Sequence, residues 1–257
     1  MRTFGLDKVH IDFIEDKINM LIDKQKVGRH KLLSVKNQLL LTLYYLKNYC
    51  TYEKLGLIFG CSTTVSWRTV KSMIEILLNL KCIDNLSIKD NSCLLVDGTL
   101  TECERPKPNT VDYYCRKKNY SIKSQVIVDS VSSKVCSVCC TFGSMHDFEL
   151  FKNWYACSKV DRGSWFIADS GYQGISKVHS GSLSILKKPI NGFLSSNDVK
   201  FNRHLSKFRV KNEHVIGKLK NFKCVCGKFR HCKLILQWFC SLITVVSSLY
   251  NFMIDGL

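Results

Sequence analysis

Proline is scarce, with 3 in 257 residues, and glycine stops at 14, which excludes low-complexity disorder and collagen-like repeats. No apolar signal core lies near the start, because Asp7, Asp12, Glu15 and Asp16 fall where it would have to be, so the chain is expected to stay inside the cell. No clean membrane-spanning run occurs either. The nearest approach, 234–253, carries Gln237, Ser241, Thr244, Ser248 and Asn251 at alternating steps of four and three. Such a stripe suits a terminal helix packed on a core better than a span. Acidic residues are also short, 21 against 38 Lys+Arg, and the resulting charge of +17 predicts a polyanionic partner through counterion release: DNA, RNA or an anionic membrane.

What is present suits a folded protein: 46% hydrophobic and 11% aromatic residues in a length that favours two domains. Cysteine is plentiful at 14, and inside a cell disulfides are not expected to persist. Cys136, Cys139 and Cys140 fall in a strand-like segment, where residues three apart point to opposite faces. Cys224 and Cys226, followed by His231 and Cys232, leave a knuckle-like zinc site open, with buried free thiols as the plainer expectation.

From 32 to 80 the pattern is helical. Leu39, Leu40, Leu43 and Leu46 hold one helix that ends near Asn48 and Tyr49. Thr51 is a candidate N-cap for a short helix through Phe59, with Leu55, Ile58 and Phe59 on its apolar face and Gly60 as the turn. Ser62 or Thr63 would cap the next helix, running to about Leu80 with Val70, Met73, Ile74 and Leu77 inward. Helix, tight turn, helix is the form of a DNA-reading motif. Thr63, Thr64, Ser66, Trp67 and Arg68 stand where a recognition helix meets bases and phosphates, although a plain helical hairpin has the same pattern.

After Asp90 come apolar runs of strand length: 92–96 ending on Asp97, Ser121–Asp129, and 134–142. A helix over about 145–158, a strand at 165–168 ending on Asp169, a strand at 183–186 and further helices complete the order. That order is the one found in the ribonuclease H-like fold.

Two acids share one setting, Leu94-Leu95-Val96-Asp97-Gly98 and Phe166-Ile167-Ala168-Asp169-Ser170-Gly171. Strands of an open sheet present ligands at their carboxyl ends, so neighbouring strands would bring both acids to one edge. Paired carboxylates there repel unless a divalent cation keeps them ionised, which points to a hard metal site; each could also be a strand-end acid bonding its own turn. The segment 200–233 holds eleven Lys or Arg and one acid, Glu213. In a helix Arg209, Glu213 and Lys220 would share a face, and Glu213 is either a salt-bridge partner or a third ligand bordered by phosphate-binding cations.

The spacing Arg209-x3-Glu213-x6-Lys220 resembles the signature around the last glutamate in transposases of the IS-five family of bacterial insertion sequences and their Harbinger relatives. Val96-Asp97-Gly98-Thr99 with Pro106 downstream, Gly143-Ser144-Met145-His146-Asp147, Ala168-Asp169-Ser170-Gly171-Tyr172 and the stretch Phe201-Asn202-Arg203-His204-Leu205-Ser206 match in the same order. Two departures stand out: Ser206 where many members carry Tyr, and Ser66, with Val65 beside it, where an aliphatic is usual six residues after the turn glycine.

The resemblance covers about residue 34 to the C-terminus and implies an α/β architecture. A small all-α helix-turn-helix domain, 1–85, would precede a ribonuclease H-like catalytic domain, 86–257, with a mixed five-stranded sheet. Asp97, Asp169 and Glu213 would be the acidic triad holding two Mg2+ ions, with Mn2+ as an alternative. Arg209 and Lys220 would bind phosphate, with His146 and Asp147 capping a helix or supporting the site. The partners implied are double-stranded DNA, as terminal inverted repeats and target, and a second copy of the chain on that DNA; the place implied is the bacterial cytosol. Two rivals remain at this stage, a cleavage-dead DNA-binding derivative and a ribonuclease H-like repair nuclease.

Overall fold

The structure, a computed structural model, describes residues 3–21, 32–80, 88, 90–107, 110–115, 118–158, 160–161, 163–230 and 235–256. His231 and Cys232 of the zinc expectation, and Leu234 of the apolar C-terminal stretch, lie outside the described residues. The chain divides into two compact units: Met1–Asn85 with Leu219–Gly227 and Ser241–Leu257, and Leu86–Lys218 with Lys228–Cys240.

The first unit is helical, with α1 (Lys8–Leu21), α2 (Val35–Asn48), α3 (Tyr52–Phe59) and α4 (Thr63–Leu78). The sequence pattern did not single out α1, which buries Ile11, Ile14 and Ile18. Ser34, Thr51 and Ser62 cap α2, α3 and α4, each accepting a backbone N–H with its side-chain oxygen. Gly60 ends α3 in the left-handed region at φ 65°. The buried face of α3 is Leu55 and Gly56, whereas Ile58 is 46% exposed, contrary to the expected apolar face. The reason is close approach: a Cβ on Gly56 would lie 2.4 Å from the Cys61 carbonyl oxygen, so the turn folds back onto the glycine.

The second unit is a five-stranded sheet of β1 (Cys93–Glu102), β2 (Ser121–Asp129), β3 (Val135–Phe142), β4 (Trp165–Ala168) and β5 (Ser182–Ser184), in the order β3-β2-β1-β4-β5. β1, β2 and β3 form an antiparallel meander, and β4 and β5 add in parallel to β1. Helices α5 (Thr110–Tyr113), α6 (Asp147–Cys157), α7 (Ile175–Val178) and α8 (Ser196–Leu219) complete it, and α9 (Ile235–Asp255) closes the chain. This mixed sheet and its strand order make the unit ribonuclease H-like. Leu94, Val96, Ile127, Phe151, Phe166 and Tyr172 form the core under α6.

β1 is longer than expected. It does not end at Asp97 but runs on to Glu102, because β2 continues to pair with it as far as Ser121 opposite Glu102. The alternating Thr99, Leu100 and Thr101 are good strand formers, and Gly98 does not break a strand paired on that side.

α9 is apolar and long enough to cross a membrane by length and composition, and it is 67% buried in the fold. Its expected polar stripe runs from exposed Gln237 through half-buried Ser241 and Thr244 to buried Ser248 and Asn251. The described cysteines are free thiols; Cys224 is buried and Cys226 exposed.

Candidate active site

Asp97 and Asp169 are brought together by strand register. Val96 pairs with Ala168 on parallel neighbours β1 and β4, and each acid is the next residue. Adjacent strands run about 4.8 Å apart, so the two carboxylates leave the sheet from neighbouring positions. Asp97 accepts the Gly98 N–H at 2.8 Å, and Asp169 accepts the Gly171 N–H as N-cap of a one-turn 3-10 helix, 170–172.

α8 adds the third acid. It is held to the sheet unit at three places: Asn202 exchanges hydrogen bonds with the Leu186 backbone at 2.9 and 3.0 Å, the Lys211 ammonium donates to the Ser130 carbonyl at 2.8 Å, and the Asn212 amide donates to the Val126 carbonyl at 3.5 Å. These fix the rotation of the helix. Arg209 then stands with Nη2 3.3 Å from Glu213 Oε1, one turn away, and 3.9 Å from Asp169 Oδ2. Its Nε is buried without a partner. The Glu213 side chain is 53% exposed.

Burial pushes the Asp97 carboxyl up to about 6; the charges of Asp169 and Glu213 act in the same direction, against the Gly98 N–H and the Arg209 guanidinium. The three acids are therefore electrically coupled. Three carboxylates with Arg209 against two of them are oxygen donors of the kind that a hard divalent ion takes. Among the described residues no three His, Cys, Asp or Glu side chains stand close enough to enclose one ion, so the acids adjoin without converging on a common point.

Asp147 is the first residue of α6, and its carboxylate lies across the turns after both aspartates. A Cβ on Gly98 would be 3.0 Å from Asp147 Oδ1, and one on Gly171 would be 3.2 Å from Asp147 Oδ2. Asp147 thus crowds both glycine positions, and at Gly171 the Asp169 carboxylate is nearer still at 2.9 Å. Lys123 on β2 holds this carboxylate at 2.9 Å and also donates to the Met145 carbonyl. Lys123 escaped the sequence reading; its signal was a lone cation inside the otherwise uncharged stretch 121–128. His146 is the N-cap of α6, its Nδ1 accepting the Phe148 N–H at 3.4 Å.

Lys220 is not placed with Arg209 and Glu213 on α8. The helix ends at Leu219, and Lys220 belongs to segment 219–227 of the helical unit. In that unit Thr63, Thr64, Trp67 and Arg68 are exposed along the first turns of α4, and Lys71 Nζ lies 5.8 Å from the Trp67 ring centroid. Ser66 is a correction. It is fully buried, with its hydroxyl bonded back to the Ser62 carbonyl at 3.2 Å and beside Cys61 Sγ at 3.3 Å, so DNA cannot reach it. The residue takes the inward place where an aliphatic is usual, and the helix register is unchanged.

Residues 96–251 match the DDE superfamily endonuclease family, and residues 30–79 match the helix-turn-helix of DDE superfamily endonucleases. A probable transposase for insertion sequence element IS702 from Microchaete diplosiphon is 30% identical over 216 residues, spanning 81% of this chain and 78% of that protein. Among solved structures, a pre-cleavage Mos1 transpososome aligns at 11% identity with a TM-score of 0.25, and a Mos1 transposase paired-end complex with the left transposon end at 10% and 0.23. Each covers 81% of this chain and 83% of the other.

Proposed function

The chain belongs to the DDE superfamily endonucleases and is an insertion-sequence transposase; from that premise we propose that it binds the terminal inverted repeats of its element and carries out Mg2+-dependent strand cleavage and strand transfer at Asp97, Asp169 and Glu213. The observation that carries this reading is the register of β1 and β4, which sets Asp97 beside Asp169, with Arg209 linking Asp169 to Glu213.

Asp97 and Asp169 would be the principal ligands and Glu213 the third. Two divalent ions, Mg2+ or Mn2+, would supply activation of the attacking oxygen and stabilisation of the leaving one. The residues of the chain do the rest. Arg209, with Nε unengaged, would turn from the carboxylates to the scissile phosphate, where its planar fork suits two oxygens. Lys220 would bind phosphate as a point charge. Asp147, held by Lys123, would keep the turns after Asp97 and Asp169 in place, with His146 capping α6.

In the first step water attacks a phosphodiester at the element's end, the P–O3′ bond breaks, and a 3′-hydroxyl is released beside a 5′-phosphate. In the second that hydroxyl attacks a phosphodiester of target DNA, displacing a new 3′-hydroxyl there. Residues 1–85 would read DNA through Thr63, Thr64, Trp67 and Arg68, and 86–257 would perform the chemistry, with the second half of α9 lent to the helical unit. Two ends must be brought together, so a homodimer on DNA is the proposed active form, working in the bacterial cytosol.

The test is a nicking and joining assay on duplex DNA carrying the sequences that flank the coding region. Nicking and 3′-hydroxyl joining that need Mg2+ and disappear in Asp169→Asn are expected. Nicking without joining would favour a repair nuclease, and DNA binding without either a cleavage-dead derivative.

A further inference from the structure

Gly98 leaves a notch on the α6 side of the sheet, and three polar side chains surround it. Gln125 is its register partner on β2, so the Gln125 side chain rises on the same face beside the position where Gly98 has none. The Tyr172 hydroxyl comes within 3.6 Å of that position, and Asp147 Oδ1 within 3.0 Å. Gln125 and Tyr172 are each 1% exposed, and the Gln125 amide nitrogen and oxygen and the Tyr172 hydroxyl are all without a hydrogen-bond partner. Native interiors rarely leave such groups unpaired, because an orphaned buried donor costs stability that phenylalanine and methionine in the same places would not.

Lys123 engages Asp147 through Oδ1. A carboxylate accepts several hydrogen bonds through its two oxygens, and Asp147 Oδ2 is the atom turned toward the Gly171 turn beside Asp169. Asp147 thus has acceptor capacity where two buried donors lack acceptors. Resting on the metal-site reading given above, we propose that Tyr172, with Gln125 behind it, is a positioning residue for the metal-binding aspartates. It acts through Asp147: the phenol O–H, unpaired and next to Asp147 at the Gly98 position, is the donor that would fix the carboxylate spanning the Asp97–Gly98 and Asp169–Gly171 turns, with the Gln125 amide in support. Neither Tyr172 nor Gln125 touches the reacting atoms.

The experiment uses the full chain and Mn2+ alone as probe, with affinity read by titration calorimetry and fold by the melting temperature without metal. Tyr172→Phe removes only the hydroxyl, so its melting temperature should equal or exceed that of the wild type. Its Mn2+ affinity should fall by about tenfold, the scale of an outer-shell partner of a metal ligand. Asp147→Asn should lose a similar factor, and the double variant should bind no more weakly than Asp147→Asn, because the two act as one unit. Gln125→Met should shift affinity in the same direction by a smaller factor, and it carries the test if Tyr172→Phe does not fold. Wild-type affinity in folded Tyr172→Phe, or losses that multiply in the double variant, would overturn the proposal. Wild-type protein that takes up no Mn2+ would instead sink the metal-site reading itself, and this inference with it.

Discussion

Arg209 and Glu213 lie one turn apart on α8 at 3.3 Å, and the same guanidinium nitrogen is 3.9 Å from Asp169. A cation of the chain itself therefore stands against two of the three proposed ligands. This yields a split outcome. Arg209→Gln removes a positive charge that opposes an incoming divalent ion, and for half-exposed groups that relief is worth roughly a three- to tenfold tighter Mn2+ affinity. The same change removes a phosphate contact, so nicking should fall by about 10²-fold. Titration calorimetry and single-turnover nicking measure the two arms. Affinity and rate falling together would mean that Arg209 serves the carboxylates and not the phosphate.

Asp97 supplies a pH dependence of known sign. Its folded pKa of about 6 lies above the ordinary 3.8, so between those values the folded chain keeps a proton that the unfolded chain has lost. Stability contributed by that proton is present at the low end of the window and is lost as pH rises through about 6. Fully expressed, the shift would be worth about 3 kcal/mol, and solvent screening at this half-buried position reduces it to about 1–2 kcal/mol. Metal-free Asp97→Asn should therefore melt about 2–8 °C above wild type at pH 7.5 and close to it at pH 4, while its nicking is abolished. A calorimetric scan at both values checks this; an unchanged gap between pH 4 and 7.5 would remove Asp97 as its source.

Much of this site was legible because it depends on local pattern. An apolar run followed by Asp and a small residue marks Asp97 and Asp169 whatever their neighbours, and the helix caps at Thr51 and Ser62 follow from side-chain chemistry at the chain position itself. What escaped depends on pairing. β1 runs through Asp97 because β2 pairs with it from the other side. Lys123, Gln125 and Tyr172 become neighbours of the acids only through register and the placement of α6. Ser66 was misread for the same reason: one step of helix rotation separates an inward hydroxyl from the exposed Trp67 and Arg68, and a hydroxyl does not announce which side it takes. Glu213 stood out by the spacing around it, and α8 makes that spacing a shared face only as far as Leu219, which leaves Lys220 outside it.

The Ser66 correction separates binding from stability within one helix. Trp67→Ala and Arg68→Ala should each weaken binding to the element's ends by about 1–3 kcal/mol, the scale of lost base-edge or stacking contacts, with little change in melting temperature. Ser66→Ala should leave affinity unchanged and lower stability by about 1 kcal/mol, since it removes the buried hydroxyl's bond to the Ser62 carbonyl, which keeps the Ser66 backbone N–H, and leaves a small void. Fluorescence anisotropy beside thermal melting distinguishes them. Loss of affinity in folded Ser66→Ala would place that helix in a different rotation.

Charge gives the broadest check, because it does not depend on which residues perform the chemistry. A net +17 with eleven cations between 200 and 233 is far more than the single acid there can neutralise, and a surface of that kind binds a duplex chiefly by releasing condensed counterions. If about six phosphates are engaged, the logarithm of the affinity should fall against the logarithm of salt with a slope of about −5. Arg203 and Lys207 are exposed on α8, and replacing either with Ala should reduce the slope by about 1 if it neutralises one phosphate, for specific and random duplexes alike. Trp67→Ala should leave the slope in place while lowering affinity for the element's ends alone, since an apolar contact to a base edge releases no ions. A flat salt response in the wild type would remove DNA as the polyanion to which this charge answers, however well the carboxylates are placed.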